Sequence, residues 1–244
     1  MSSADIILLI SDGVVFWIGF GPLSIKVKLL AGFPVGHSAL GPLPTNKQLL
    51  IILVNSFVVY VIYAKNNKLT NFSEQQLIDC SIFYGNLGCN GGLMDNAFEY
   101  ATDHYMCSEE NIPYEAKSDM TFSECFNCKS IVQLKGCADV PSNNQTALKI
   151  AVSRQPVSVA IEADTIIFDT YKSGIISSSS CGTNLDHGVL IIGYGSENGK
   201  DYWLLKNSWG ESWGENGYFR IKRDDKEEGP GICGIASTAS YPVL

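Results

Sequence analysis

Residues 185–195, LDHGVLIIGYG, and residues 202–221, YWLLKNSWGESWGENGYFRI, decide how this chain is read. Residues 188–194, 202–206 and 218–222 are short runs of aliphatic and aromatic side chains separated by glycines, which is the composition of strands. His187 stands where Gly188 leads into the first of these runs, so its ring is offered at the mouth of a strand rather than sunk within a core. Asn207 lies 20 residues on, at the end of the second run, with the large indole of Trp209 close behind. A thiol peptidase needs a histidine to hold a thiolate as an ion pair and later protonate the leaving amine. It also needs a third group to orient the ring; a neutral amide oxygen suffices, with a nearby indole keeping water off that bond. His187, Asn207 and Trp209 have these types in this order. The other histidines, His37 in an irregular stretch and His104 at the end of a helical pattern, carry no such context.

Upstream, residues 157–161 (VSVAI) alternate as a strand does, and residues 146–152 have a helical pattern. Leu93, Met94, Ala97, Phe98 and Ala101 recur at helical spacing after Gly91-Gly92. Ser73-Glu74-Gln75-Gln76 has the form of a capping box: the hydroxyl serves the first-turn amides, Gln76 reaches back, and a short helix runs to about Cys80. Helices first and strands later indicate an α+β fold whose site lies in a cleft between two unlike layers.

The chain of 244 residues, 45% hydrophobic and 17% charged, is long enough to bury a core without a metal. Its net charge of −8 repels phosphate backbones, and the one basic cluster, residues 220–223, runs directly into acids, so nucleic acid is excluded as a partner. All eight cysteines lie between Cys80 and Cys233. Only Cys125-x-x-Cys128 has the spacing of a metal-ligand pair, and no second pair follows, so disulfides in an oxidising compartment are the better reading. The sequons Asn71-Phe72-Ser73 and Asn144-Gln145-Thr146 agree with a secretory route.

Residues 1–64 differ in character: they hold only Asp5, Asp12, Lys26, Lys28 and Lys47, against 23 acids and 14 bases in the remainder. Residues 49–64, LLIILVNSFVVYVIYA, fall slightly short of the roughly 20 residues a spanning helix needs. They read either as a membrane anchor or as a buried segment. Residues 6–20 are interrupted by Ser11-Asp12-Gly13 and lack a basic start, which makes a poor signal peptide.

Seven blocks together carry a family resemblance: SEQQLIDC at 73–80, GCNGGLMDNAFEY at 88–100, PYEA at 113–116, PVSVAIEA at 156–163, CGTNLDHGVLIIGYG at 181–195, the 202–221 stretch, and GICGIASTASYP at 231–242. In this order they resemble cathepsin-L-like members of the papain family of cysteine peptidases. The resemblance implies a two-domain fold with a left helical domain, incomplete here, over residues 65–130 and a right β-barrel-like domain over 131–244. Residues 1–64 form an atypical hydrophobic N-terminal segment. It implies His187 as base, Asn207 as its orienter and Trp209 as its lid. Gly91 and Gly92 would hold a substrate backbone in strand-like fashion. Leu93, Met94, Val157, Ala160, Leu185 and Asp186 would line the substrate site, the aliphatic ones forming an apolar pocket for the side chain preceding the one at the cut bond. It pairs Cys181 with Cys233, and Cys80 with Cys125 or Cys128; Cys89 would normally bridge to the segment that does not match here and is therefore expected as a free thiol, while spacing leaves the pairing of Cys107, Cys128 and Cys137 open. The implied partner is a peptide or protein substrate, or a cystatin-type inhibitor, bound by a monomer with no metal or organic cofactor. The implied location is lysosomal, vacuolar or secreted, with membrane association only through residues 49–64.

The match fails at one place. The family's nucleophile stands in a CGSCW-like segment roughly 130 to 150 residues before the histidine. Counted back from His187 this is residues 37–57, where no cysteine occurs, and none occurs anywhere before Cys80. Gln48, the one glutamine nearby, lacks the following Cys-Gly-Ser-Cys expected of the oxyanion residue. Ser56 falls in the window without a glycine-bearing turn, and Cys80 and Cys89 sit in blocks where the family uses cysteine for disulfides. The expectation is a cysteine endopeptidase by family, inactive as written; the alternative is a non-catalytic peptide- or inhibitor-binding relative.

Overall fold

The computed structural model describes residues 72–115, 125, 132–224 and 228–243, together with the backbone of two short pairs, Ile10–Ser11 (β1) and Val14–Val15 (β2), which are antiparallel to each other. The apolar run 49–64, the window 37–57 with Gln48 and Ser56, His37, Asn71, Cys128 and part of the charged run after residue 223 lie outside the described residues. Among the described residues no helix is long and apolar enough to cross a membrane.

Helix α1, Glu74–Cys80, starts where Ser73 Oγ accepts from the Gln76 amide at 2.9 Å, one half of the expected capping box. The other half does not form. The Ser73 amide donates instead to Cys107 O, and the Gln76 side chain turns inward, donating to Tyr100 Oη at 3.0 Å and Tyr105 O at 2.9 Å while accepting from the Cys107 amide at 2.8 Å. A buried backbone N–H must be paired, and that demand outweighs the local motif. Helix α2, Met94–Asp103, buries Met94, Ala97, Phe98, Tyr100 and Ala101 on one stripe. Helix α3, Gln145–Val152, is capped by Asn144, whose side chain accepts from the Ala147 amide, and α4, Ile166–Asp169, is a single turn.

The strands are β3 (Gly136–Asp139), β4 (Val157–Ile161), β5 (Ile175–Ile176), β6 (His187–Glu197), β7 (Lys200–Lys206), β8 (Tyr218–Lys222) and β9 (Ala239–Val243). They form one seven-stranded sheet in the order β3-β9-β4-β6-β7-β8-β5, antiparallel except between β5 and β8. This corrects the expectation of a barrel: β3 and β5 are free edges, and the sheet is open. The expected strands at 188–194 and 202–206 extend to join in a hairpin with Glu197 opposite Lys200. Its turn residues Asn198 (φ 50) and Gly199 (φ 74) both take the left-handed conformation of a type I′ turn, whose twist matches that of the flanking strands.

Two cores result. One packs Val157, Val159 and Ile161 of β4, Val189 and Ile191 of β6, Trp203, Leu205 and Phe219 of the sheet against Leu148 and Val152 of α3 and Phe168 of α4. The other gathers Phe72, Leu77, Met94, Ala97, Phe98, Tyr100, Met106 and Leu134, and takes in Ala160 from β4. Among the described residues, Cys181–Cys233 cross-links the first and Cys80–Cys125 the second. Cys125 is therefore a disulfide partner and not a metal ligand, and Cys107 is also disulfide-bonded.

Candidate active site

Antiparallel pairing brings the start of β6 and the end of β7 to the same end of the sheet. Leu190 lies opposite Lys206, so His187 and Asn207 project from adjacent strand ends although 20 residues separate them. His187 Nε2 lies 2.9 Å from Asn207 Oδ1, and both side chains are 1% exposed. Two backbone amides fix the asparagine: its own N–H donates to Gly217 O, and the Ser208 N–H donates to its Oδ1 at 2.8 Å. With Oδ1 an obligate acceptor, the imidazole N–H sits on Nε2, which makes Nδ1 the basic nitrogen. Nδ1 is buried and has no hydrogen-bond partner among the described residues.

The Trp209 ring covers the imidazole at a centroid distance of 5.1 Å and an interplanar angle of 32°. It is held in turn by edge contacts with Trp213 at 5.0 Å and Phe168 at 6.5 Å, and Trp213 Nε1 donates to Phe168 O at 3.0 Å. Burial pushes the imidazole down to about 4, opposed only by the Asn207 bond, which favours the charged ring. The ring is thus neutral across the mildly acidic to neutral range.

Two carboxylates fasten the loop that carries the histidine. Asp186 Oδ1 accepts from the Ala163 amide at 2.8 Å and Oδ2 from the Asp164 amide at 3.3 Å, while Glu162 accepts from the Asn184 amide. Each loop therefore supplies a carboxylate to the other's backbone. Burial pushes the Asp186 carboxyl up to about 6, with the Ala163 amide pulling the other way. The Glu162 half of this clamp was not read from the sequence, because an acid ending a strand gives no local sign of its tertiary partner. Among the described residues, no cluster of His, Cys, Asp and Glu is arranged to hold a metal ion.

The remaining site candidates are sorted by the fold. Met94 and Ala160 lie together in the second core, and Leu185, half-buried, packs against the same cluster beside His187. Leu93 is 59% exposed next to them. Val157 is a correction. Successive strand residues face opposite sides, so Val157 and Ala160 point to opposite faces of β4, and Val157 is fully buried in the other core. The two glycines also separate. Gly91 has φ 108, which only glycine adopts without strain, and its N–H and C=O are taken by Gly88 O and the Leu87 amide. Gly92, half-buried, has neither backbone group engaged among the described residues, so it is the one with hydrogen bonds to offer.

Cys137 is an exposed thiol on β3. Its strand is separated from β6 by β9 and β4. At about 4.8 Å per strand this puts it roughly 14 Å from the strand that bears His187, too far for proton transfer.

A family model described as papain family cysteine protease matches residues 55–243. Germination-specific cysteine protease 1 of Arabidopsis thaliana is 51% identical over 177 residues, covering 72% of this chain and 46% of that protein. Senescence-specific cysteine protease SAG39 of Oryza sativa subsp. japonica is 45% identical over 185 residues, covering 75% and 53%. The chain spans about half the length of the curated relatives it matches. Among solved structures, the bromelain protease from Ananas comosus in complex with the E64 inhibitor superposes with a TM-score of 0.69 at 40% identity, over 80% of this chain and 86% of that one. Digestive procathepsin L 3 of Tenebrio molitor gives 0.70 at 39% identity, over 87% and 73%.

Proposed function

This chain belongs to the papain family of cysteine proteases, and from that premise we propose that it is a peptide-binding member whose cleft keeps the histidine and asparagine of a cysteine endopeptidase but, as the chain stands, supplies no nucleophile to them. The observation that carries this is the 2.9 Å bond from His187 Nε2 to Asn207 Oδ1 under Trp209, in a sequence with no cysteine before Cys80. That bond leaves Nδ1 as the nitrogen able to take a proton from a thiol. In this family a thiolate opposite Nδ1 holds the ring as imidazolium; with burial alone acting on it, the ring stays neutral.

The ligand is a peptide or protein segment in extended form. The N–H and C=O of Gly92 pair with its backbone, and Met94, Ala160 and Leu185, with Leu93 at the rim, receive an apolar side chain such as Leu, Phe or Val. Val157 has no part in this pocket. The helical portion to residue 130, the sheet portion from 131 and the separate segment 1–64 are the units of this reading. The disulfides support a lysosomal, vacuolar or secreted location, and a cystatin-type inhibitor is the alternative occupant of the same cleft.

The test uses the purified 244-residue chain, a thiol-directed epoxide probe and a quenched peptide with Leu or Phe at the apolar position. The expected outcome is saturable binding of the peptide, read by tryptophan fluorescence, with no hydrolysis and no label. Hydrolysis abolished by the probe would overturn the non-catalytic part of the proposal. Failure of the peptide to bind, with the fold intact by circular dichroism, would overturn the binding part.

A further inference from the structure

Two Asn-x-Ser/Thr tripeptides occur in the chain, and the site described above uses neither. The fold sets them in different surroundings. In Asn71-Phe72-Ser73, Phe72 and Ser73 are both fully buried, and Ser73 Oγ is engaged twice, donating to Ile112 O at 2.7 Å and accepting from the Gln76 amide at 2.9 Å. In Asn144-Gln145-Thr146, the asparagine is partly exposed, and Ser142, Asn143 and Thr146 beside it are exposed.

Asn144 is the N-cap of α3, with extended backbone (φ −119, ψ 91), and its Oδ1 accepts from the Ala147 amide at 2.8 Å. A cap residue tolerates few changes, because its acceptor satisfies a helix amide that otherwise has no partner. One modification leaves that acceptor untouched. Attachment of a sugar to Nδ2 turns a primary amide into a secondary amide: the carbonyl oxygen still accepts, and the nitrogen keeps one hydrogen. Nδ2 makes no hydrogen bond among the described residues and is not one of the buried atoms left unsatisfied.

We propose that Asn144 is an N-glycan acceptor, modified on Nδ2 by a lipid-linked oligosaccharide diphosphate. In the transfer the Nδ2–C1 bond forms as the bond from C1 to the diphosphate oxygen breaks. The lipid diphosphate departs as the leaving group with the electron pair of that bond, and one amide proton passes to a base; nothing is oxidised or reduced. Transfer takes place on the unfolded chain, so the fold has only to leave room afterwards. Ser142, Asn143 and Thr146 around Asn144 are exposed, so that room is present. The cross-links Cys80–Cys125 and Cys181–Cys233 belong to the oxidising route in which this chemistry occurs. The proposal rests on the compartment and on α3, and not on the peptide cleft.

The full chain is expressed behind a cleavable signal sequence in a eukaryotic secretory cell and treated with peptide N-glycosidase F in heavy-oxygen water. The expected result is a gel shift on treatment and a peptide in which residue 144 has become labelled aspartate. Thr146→Ala abolishes the labelled aspartate at residue 144 while keeping the Asn144 cap, and Thr146→Ser retains it. If secretion fails, translation into microsomes reads the same shift without requiring the fold. Unmodified Asn144 in the recovered chain, or sugar only at Asn71, would overturn the proposal.

Discussion

The imidazole of His187 has one nitrogen tied to Asn207 and the other, Nδ1, without a partner among the described residues, so its titration reports what faces it. Burial holds it at about 4. In a nitrogen-15 or carbon-13 NMR titration the ring should therefore change charge near 4, and Asn207→Ala should lower the midpoint further, because that bond favours the charged ring. A midpoint at or above the ordinary 6.5 would place an anion, such as a thiolate, beside Nδ1. The same numbers set a stability window. A folded-state value depressed from 6.5 to about 4 contributes stability that is fully present above 6.5 and lost as pH falls through about 4, on the order of 3 kcal/mol. Asp186 runs the other way: raised from 3.8 to about 6, its contribution is full below 3.8 and lost as pH rises through about 6. The two oppose each other across the acid range. Asp186→Asn should consequently make the protein lose more stability between pH 6.5 and 4 than the parent does, measured by urea unfolding at each pH; an unchanged slope would show that Asp186 titrates normally.

At the level of single elements, most of what was legible in the sequence was periodic. The stripe of α2 and the alternation of β4 follow from side-chain period alone, and both appear close to their expected bounds. What could not be read was which partner each side chain meets. Val157 and Ala160 look alike in sequence but lie on opposite faces of β4, and only the neighbouring layers show that one belongs to the sheet core and the other to the helical core. Gln76 looked like the returning arm of a capping box, yet a buried backbone N–H 31 residues away claimed it. Gln76→Ala should therefore cost more than the loss of a cap. It removes three hydrogen bonds and leaves the Cys107 amide buried without its acceptor, about 3 kcal/mol in denaturant unfolding, whereas a surface-cap substitution costs about 1 kcal/mol. The β6–β7 turn offers a cleaner case: nothing lies within 4 Å of a Cβ at Gly199, so Gly199→Ala should cost about 1 kcal/mol through its φ of 74 alone.

Over the whole molecule, the site sits where two separately stapled cores meet: Ala160 and Leu185, carried by the sheet portion, pack with Met94 of the helical core, while His187 and Asn207 stand at the adjoining strand ends. The sequence showed the blocks and their order because each is local, and it showed that no cysteine precedes Cys80 because a residue type is counted without geometry. The open sheet and the reciprocal clamp of Glu162 and Asp186 depend on contacts across 20 or more residues, which no local pattern encodes. The disulfides test this division into cores. Closing loops of 52 and 45 residues gives each bridge about 4 kcal/mol by chain entropy, so Cys181→Ser/Cys233→Ser and Cys80→Ser/Cys125→Ser should destabilise the chain to a similar degree. Their effects on the site should differ. Cys233 O accepts from the Glu162 amide, and Glu162 in turn holds Asn184 three residues before the histidine, so losing the Cys181–Cys233 bridge loosens the His187 seat directly. The first variant should raise the His187 midpoint towards 6.5 as water reaches the ring, while the second should leave it near 4 under conditions where both remain folded. Equal displacement of the midpoint in the two variants would mean that the cores are not independent and that the histidine is seated by the molecule as one body.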